Sequence, residues 1–207
     1  FWLEFIHRLW GRLLGFAFAP PLIFFWWRGW LDGALKGRLL FALLLGAGQG
    51  LLGWLMVKSG LADDPRVSPY RLTAHLGLGI AIYGYLFWIA CDLARPARAE
   101  EGNAIVSGRA AALAALVFVT VLSGALVAGL RAGLAYNTFP LMDGRLIPDH
   151  YLADGATLAN MFENVAAVQF NHRALATATA IATLLFGLNV RRTRPGSGLR
   201  LAVAMVP

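Results

Sequence analysis

Long apolar segments alternate with short polar stretches along this chain, and that alternation sets the expected architecture. Five segments carry roughly the 20 mostly apolar residues that a membrane-crossing helix needs. They are 2–27, 39–57, 72–91, 110–130 and 164–190. No run alternates apolar and polar residues at the period of a strand. Lipid requires backbone groups to be satisfied internally, so helices are the expected spanning elements. Pro20-Pro21, deep in the first segment, predicts a kink there. Pro69 stands just ahead of the third segment, where a helix can begin. Glycines four apart (Gly11 and Gly15, Gly46 and Gly50, Gly129 and Gly133) match the small-residue spacing of closely packed membrane helices.

Composition narrows the class. The 207 residues are 58% hydrophobic and 14% charged, which falls outside the soluble globular range. Opening at Phe1 and closing at Pro207, within a new apolar run at 199–206, the chain is read as part of a longer protein. The net charge of +7 does not call for nucleic acid, because cytoplasmic loops of membrane proteins carry the same excess. Arg28, Lys36 and Arg38 oppose only Asp32 in the loop 28–38, and 191–200 holds four arginines and no acid. These loops, with the balanced one after Cys91, are expected on the cytoplasmic side. The loops 58–71 and 131–163, holding Asp63, Asp64, Asp143, Asp149, Asp154 and Glu163, are expected outside. Cys91 is alone, which excludes a disulfide within the chain and a thiolate metal cage.

Histidine is costly in hydrocarbon, so a histidine inside a span is a functional-site hypothesis by default. Glu4-Phe5-Ile6-His7-Arg8 and Gln169-Phe170-Asn171-His172-Arg173 match at three of five positions, each at the mouth of an apolar segment. His75 lies in the first turns of the third segment. Spans one, three and five enter from the same side, so His7, His75 and His172 are expected at one depth near the outer face. The recurrence four spans apart fits two parallel repeated units. His150, in Ile147-Pro148-Asp149-His150-Tyr151, reads as a surface loop residue.

Several chemistries fail on inventory. Gly48-Gln49-Gly50-Leu51-Leu52-Gly53 satisfies G-x-G-x-x-G but has no strand before it, so helix packing accounts for it better than a dinucleotide. Glu4-x-x-His7 resembles one arm of a di-iron site, yet the second copy has Gln169. Zinc lacks cysteine pairs and a close histidine pair. Bis-histidine heme fits best, needing axial imidazoles from facing helices, an apolar slot and cations for its propionates. His7 and His75 can face each other from two spans. Arg71 lies one turn outward of His75, and Arg8 and Arg173 are further propionate candidates; interfacial snorkelling is the ordinary account of each arginine. Glu4, one turn from His7, can serve as acid, base or stabiliser of a developing cation, whereas Gln169 cannot ionise. A helix-start glutamate favoured by the macrodipole is the alternative.

These stretches, together with Gln49 through Leu61, Arg71-Leu72-Thr73-Ala74-His75-Leu76, Ala128 through Gly133, and Tyr136 through Met142, resemble heme A synthase over nearly the whole chain. The resemblance implies an all-α polytopic membrane bundle of two pseudo-repeated four-helix halves, the second incomplete here. It implies an N-terminal half-bundle at 1–91, a cytoplasmic linker at 92–109 and a C-terminal half-bundle at 110–207. This chain would lack the first span and the last one to two. The family oxidises a porphyrin methyl group of heme O to the formyl group of heme A, for cytochrome oxidase. Carried over, His7 and His75 flank the catalytic heme, Glu4 is the essential carboxylate, and His172 ligates a b-type heme whose other histidine is not in this chain. The outer loops lack the cysteine pair of one bacterial branch, which points to the proteobacterial and mitochondrial branch. Heme b as cofactor, heme O as substrate, an external electron donor, heme O synthase as a partner, a homo-oligomer and residence in a bacterial or mitochondrial inner membrane all follow as expectations. A non-enzymatic diheme cytochrome using the same histidines is the alternative, and a repeat-fold transporter the third class.

Overall fold

The computed structural model describes residues 2–59, 67–94, 104–153 and 155–193. Asp63, Asp64, Asp154, residues 95–103 of the linker and the arginines and apolar run beyond 193 lie outside the described residues. The architecture is all-helical: α1 (Trp2–Trp27), α2 (Gly33–Ser59), α3 (Pro69–Leu93), α4 (Ala104–Gly129), a single 3-10 turn (Ala132–Leu134), α5 (Leu158–Glu163) and α6 (Val165–Thr193). Five of these helices are long and apolar enough to cross a bilayer, and the protein is an integral membrane protein. Each spanning helix is as long as the apolar segment that predicts it, or longer, because polar flanks continue the helix into the interface. Helix α1 continues as one helix through Pro20 and Pro21. Pro69 opens α3, as its missing N–H and fixed φ favour.

The chain divides into two compact units, Phe1–Ala99 and Glu100–Pro207. In the first, Gly29 takes a left-handed conformation (φ 70°) after α1, and the Trp30 N–H bonds back to the Phe25 carbonyl. This is the glycine-terminated end that satisfies the last carbonyls of a helix. Asp32 then accepts the Leu35 N–H and caps α2. Helices α2 and α3 lie against one another. At one end Arg38 pairs with Asp92 at 2.7 Å and covers the Trp88 ring, while Tyr85 donates its hydroxyl to the Arg38 carbonyl. The opposite end carries His75.

In the second unit α4 and α6 pack together, joined by a long loop that α5 interrupts. Asparagines hold this loop. Asn164, buried between α5 and α6, accepts the N–H groups of Ala166 and Ala167 on its Oδ1 and so caps α6. Its amide donates to the His150 carbonyl and to Asn160 Oδ1. Asn160 in turn donates to the Tyr151 carbonyl. Every bond of Asn164 replaces a contact with water that the fold has removed.

Replacing Asn164 by alanine removes the cap and leaves buried acceptors and donors without partners. The expected loss is about 2 kcal/mol, read as a lower thermal unfolding midpoint of the purified protein in detergent. An unchanged midpoint would contradict this account of the loop.

Candidate functional site

His7, His75 and His172 fall on the sixth, seventh and eighth residues of α1, α3 and α6. Within the first unit, His7 and His75 come together: their ring centres are 6.3 Å apart and the ring planes cross at 72°. Two histidines more than 60 residues apart in sequence are thus brought together by two helices.

Helix α2 supplies the floor for His75. A Cβ at Gly53 would lie 3.1 Å from His75 Cε1, a tight contact from which the ring would have to give way, so glycine suits the close approach of the ring here. Gln49, one turn earlier on α2, donates its amide to the His75 carbonyl at 2.9 Å, and the same nitrogen lies 3.5 Å from His75 Nε2. His75 Nδ1 is buried without a hydrogen-bond partner. Arg71 donates to the Leu55 carbonyl, so it lies along the same α2–α3 seam. Glu4 and Arg8 form an ion pair across one turn of α1, with about half of each side chain exposed.

The second unit repeats the floor but not the surroundings. His172 Cε1 would lie 3.1 Å from a Cβ at Gly124 of α4. Ser123, next to that glycine, bonds His172 Nδ1 at 2.8 Å. The rest of the motif fastens the loop. Gln169 donates to the Tyr136 carbonyl, and Tyr151 donates to Asn171 and packs edge-on against Phe170. Arg173 gives Nη1 to the Thr138 carbonyl and Nη2 to the Tyr136 carbonyl, both at 2.6 Å. Gln169 is 4% exposed and its Oε1 has no partner. The guanidinium expected to meet a propionate therefore spends two of its donors on backbone.

One expectation about packing needs correction. A Cβ added at Gly11, Gly15, Gly46 or Gly50 would meet nothing within 4 Å, so these two pairs do not mark helix contacts inside the first unit, whereas at Gly133 it would lie 3.8 Å from a Val127 methyl. The glycines at which a Cβ would meet a neighbour at 3.1 Å are Gly53 and Gly124, beneath the two histidines, and Gly79, beside the Gln49 amide. Sequence reasoning missed Gly53 and Gly124 as contact points, along with Gln49 and Ser123; the available signal was a glycine on the preceding span that the histidine's helix must cross. The stretch from Gly48 to Gly53 lies wholly inside α2, as the packing reading expects. His150 is exposed in the loop and lines an open cleft with Asp143 and Glu163. Among the described residues no three His, Cys, Asp or Glu side chains converge as metal ligands.

Residues 1–206 match the sequence family described as cytochrome oxidase assembly protein (COX15-CtaA). The chain belongs to that family. Among curated relatives, the heme A synthase of Nitrosospira multiformis is 48% identical over 209 residues, covering 100% of this chain and 59% of that protein. The heme A synthase of Paramagnetospirillum magneticum is 45% identical over 211 residues, with the same coverage of both chains. Heme A synthase COX15 of Bos taurus is 44% identical over 218 residues, covering 98% of this chain and 53% of that protein. The chain thus spans between half and three-fifths of the length of these relatives. No solved structure matches.

A glycine-to-alanine change in a helix interior ordinarily gains about 1 kcal/mol. At Gly53 and Gly124 a bulkier valine must displace an imidazole or the helix, and the expected cost is roughly 1–3 kcal/mol. Thermal unfolding of Gly53→Val and Gly124→Val measures it; wild-type stability in both would show that the rings do not rest on these helices.

Proposed function

We propose that the full-length protein is a heme A synthase, oxidising a porphyrin methyl group of heme O to a formyl group by successive hydroxylations and delivering heme A to cytochrome oxidase. The observation that carries this reading is the pair of imidazoles 6.3 Å apart between α1 and α3. Two imidazoles from facing helices at this separation would be close enough to hold one iron between them, so the residues present fit the group. The unpartnered Nδ1 of His75 is a further mark of a site built for something other than protein. The relatives named heme A synthase support the same conclusion.

In this reading His7 and His75 hold the heme at which oxidation takes place, and His172 supplies one ligand to a b-type heme in the second unit. Bound heme iron supplies the redox chemistry. The protein contributes position and charge. Gly53 and Gln49 fix the placement of the His75 ring and backbone. Glu4, one turn from His7, holds or moves protons, or stabilises positive charge, as the methyl carbon is oxidised. Its ion pair with Arg8 orients the carboxylate. Arg8 and Arg71 stand near enough to His7 and His75 in sequence to meet propionates, and Arg173 has the same position beside His172. The contrast between Glu4 and Gln169 supports a division in which the first unit does chemistry and the second holds a redox cofactor. Electrons come from an external donor, heme O synthase is a fitting partner for delivery of substrate, and a homo-oligomer is compatible with the apolar surface. The positive loops support residence in a bacterial cytoplasmic or mitochondrial inner membrane with the histidines toward the outer face.

Glu4→Gln in the full-length enzyme is expected to keep its heme and its Soret band while heme A output falls about a hundredfold or more, the scale of a lost acid–base group. Chromatography of extracted heme measures the product. Normal heme A output from that variant would remove Glu4 from the mechanism, and extraction of only the supplied heme from the wild-type enzyme would make the protein an electron carrier.

A further inference from the structure

A hydroxyl group carries a single hydrogen, and Ser123 of the second unit has two polar neighbours to share it between. Ser123 Oγ lies 2.7 Å from the Thr120 carbonyl oxygen, which can only accept. A helical serine hydroxyl commonly donates back along its own helix in this way, which leaves its lone pairs for a second bond. The same Oγ lies 2.8 Å from His172 Nδ1. With the hydroxyl hydrogen so placed, the proton in that second bond comes from the imidazole. A neutral imidazole carries one N–H and one lone pair, so in this arrangement His172 carries its proton on Nδ1 and keeps its lone pair on Nε2. Among the described residues no hydrogen bond engages Nε2.

The arrangement is held from several sides. Gly124 permits the ring to lie within reach of Ser123, because any side chain there would meet His172 Cε1 and Nε2. One helical turn further along the seam, the Thr120 and Thr179 hydroxyls bond each other at 2.7 Å and tie α4 to α6. Ser123 itself is half-buried, which limits competition from water. The first unit has no such device. The residue preceding Gly53 is Leu52, which offers no polar group, and His75 Nδ1 has no partner. The two units thus set their histidines differently although both rest on glycine.

We infer that Ser123 is a positioning residue for His172: it fixes the tautomer in which Nε2 is the free ligand nitrogen, and by accepting from Nδ1–H it makes the imidazole a stronger electron donor. This rests on the reading of His172 as a heme ligand. A metal-bound histidine is ordinarily oriented by a partner on its other nitrogen, and loss of that partner typically costs 10–100-fold in affinity. Greater basicity favours the ferric state, so removing the acceptor should raise the reduction potential of that heme. The other heme, without a counterpart of Ser123, should not respond.

The test uses the full-length diheme protein, with spectroelectrochemical titration and the rate of heme transfer to excess apomyoglobin as readouts. Ser123→Ala is expected to raise the midpoint of one heme only and to speed its release about tenfold. Ser123→Thr, which keeps a hydroxyl, is expected to behave as wild type. Should Ser123→Ala fail to accumulate, Ser123→Cys, whose sulfur is a weaker acceptor, must shift the same midpoint in the same direction. His172→Ala separates the two claims. If it loses one heme while the Ser123 variants leave both midpoints and release rates unchanged, the inference about Ser123 is wrong. If His172→Ala keeps both hemes, the ligand reading itself is wrong.

Discussion

A polar ring inside a membrane helix is tolerated where a neighbouring element takes up its edge, and in this protein the neighbour is a helix with glycine at the point of contact. His75 rests on Gly53 and His172 on Gly124, each with Cε1 3.1 Å from where a Cβ would stand. The absence of a Cβ does two things at once. It lets the ring approach a helix that carries hydrogen-bonding groups, and it fixes the ring's position by steric contact on one side. Beside the glycine stands Ser123 in one unit, bonded to the ring's Nδ1, and in the other Leu52, which offers no polar group. The rest of each unit serves to hold these contacts in place. The α2–α3 seam is pinned at its far end by Arg38, Asp92 and Trp88, and the α4–α6 seam by Thr120 and Thr179.

The two copies of the histidine motif have diverged in the work done by their flanking residues. In the second copy, Gln169, Phe170, Asn171 and Arg173 all hold the loop that follows α4. In the first copy, Glu4 and Arg8 answer to each other along α1. Glu4 is held only by this half-exposed pair along its own helix and, among the contacts described, ties down no loop. That difference is the physical content of the asymmetry between Glu4 and Gln169, beyond the fact that one ionises and the other does not.

Much of this was legible in the sequence. The apolar segments specified the five spans because lipid leaves few alternatives for a backbone, and the repeated pentapeptide drew attention to His7 and His172. The facing of His7 and His75 followed from counting spans. What the sequence did not disclose were contacts that depend on helix rotation. Glycine spacing of four, a periodic feature of single helices, pointed to Gly11, Gly15, Gly46 and Gly50, none of which is approached here. Gly53 and Gly124 are ordinary glycines until the crossing helix places a ring upon them. Ser123 likewise looks like any small helical residue, and its importance comes from a bond to a residue 49 positions away. Arg173 was legible as a cation but not as the anchor of a loop.

The central claim is that imidazoles from α1 and α3 share one iron. Near-infrared magnetic circular dichroism of the ferric full-length protein reads axial ligation directly. Bis-imidazole ligation is expected in the wild type, and both His7→Met and His75→Met should convert one heme to mixed imidazole–thioether ligation while leaving the other unchanged. Identical spectra for the wild type and both variants would contradict the account.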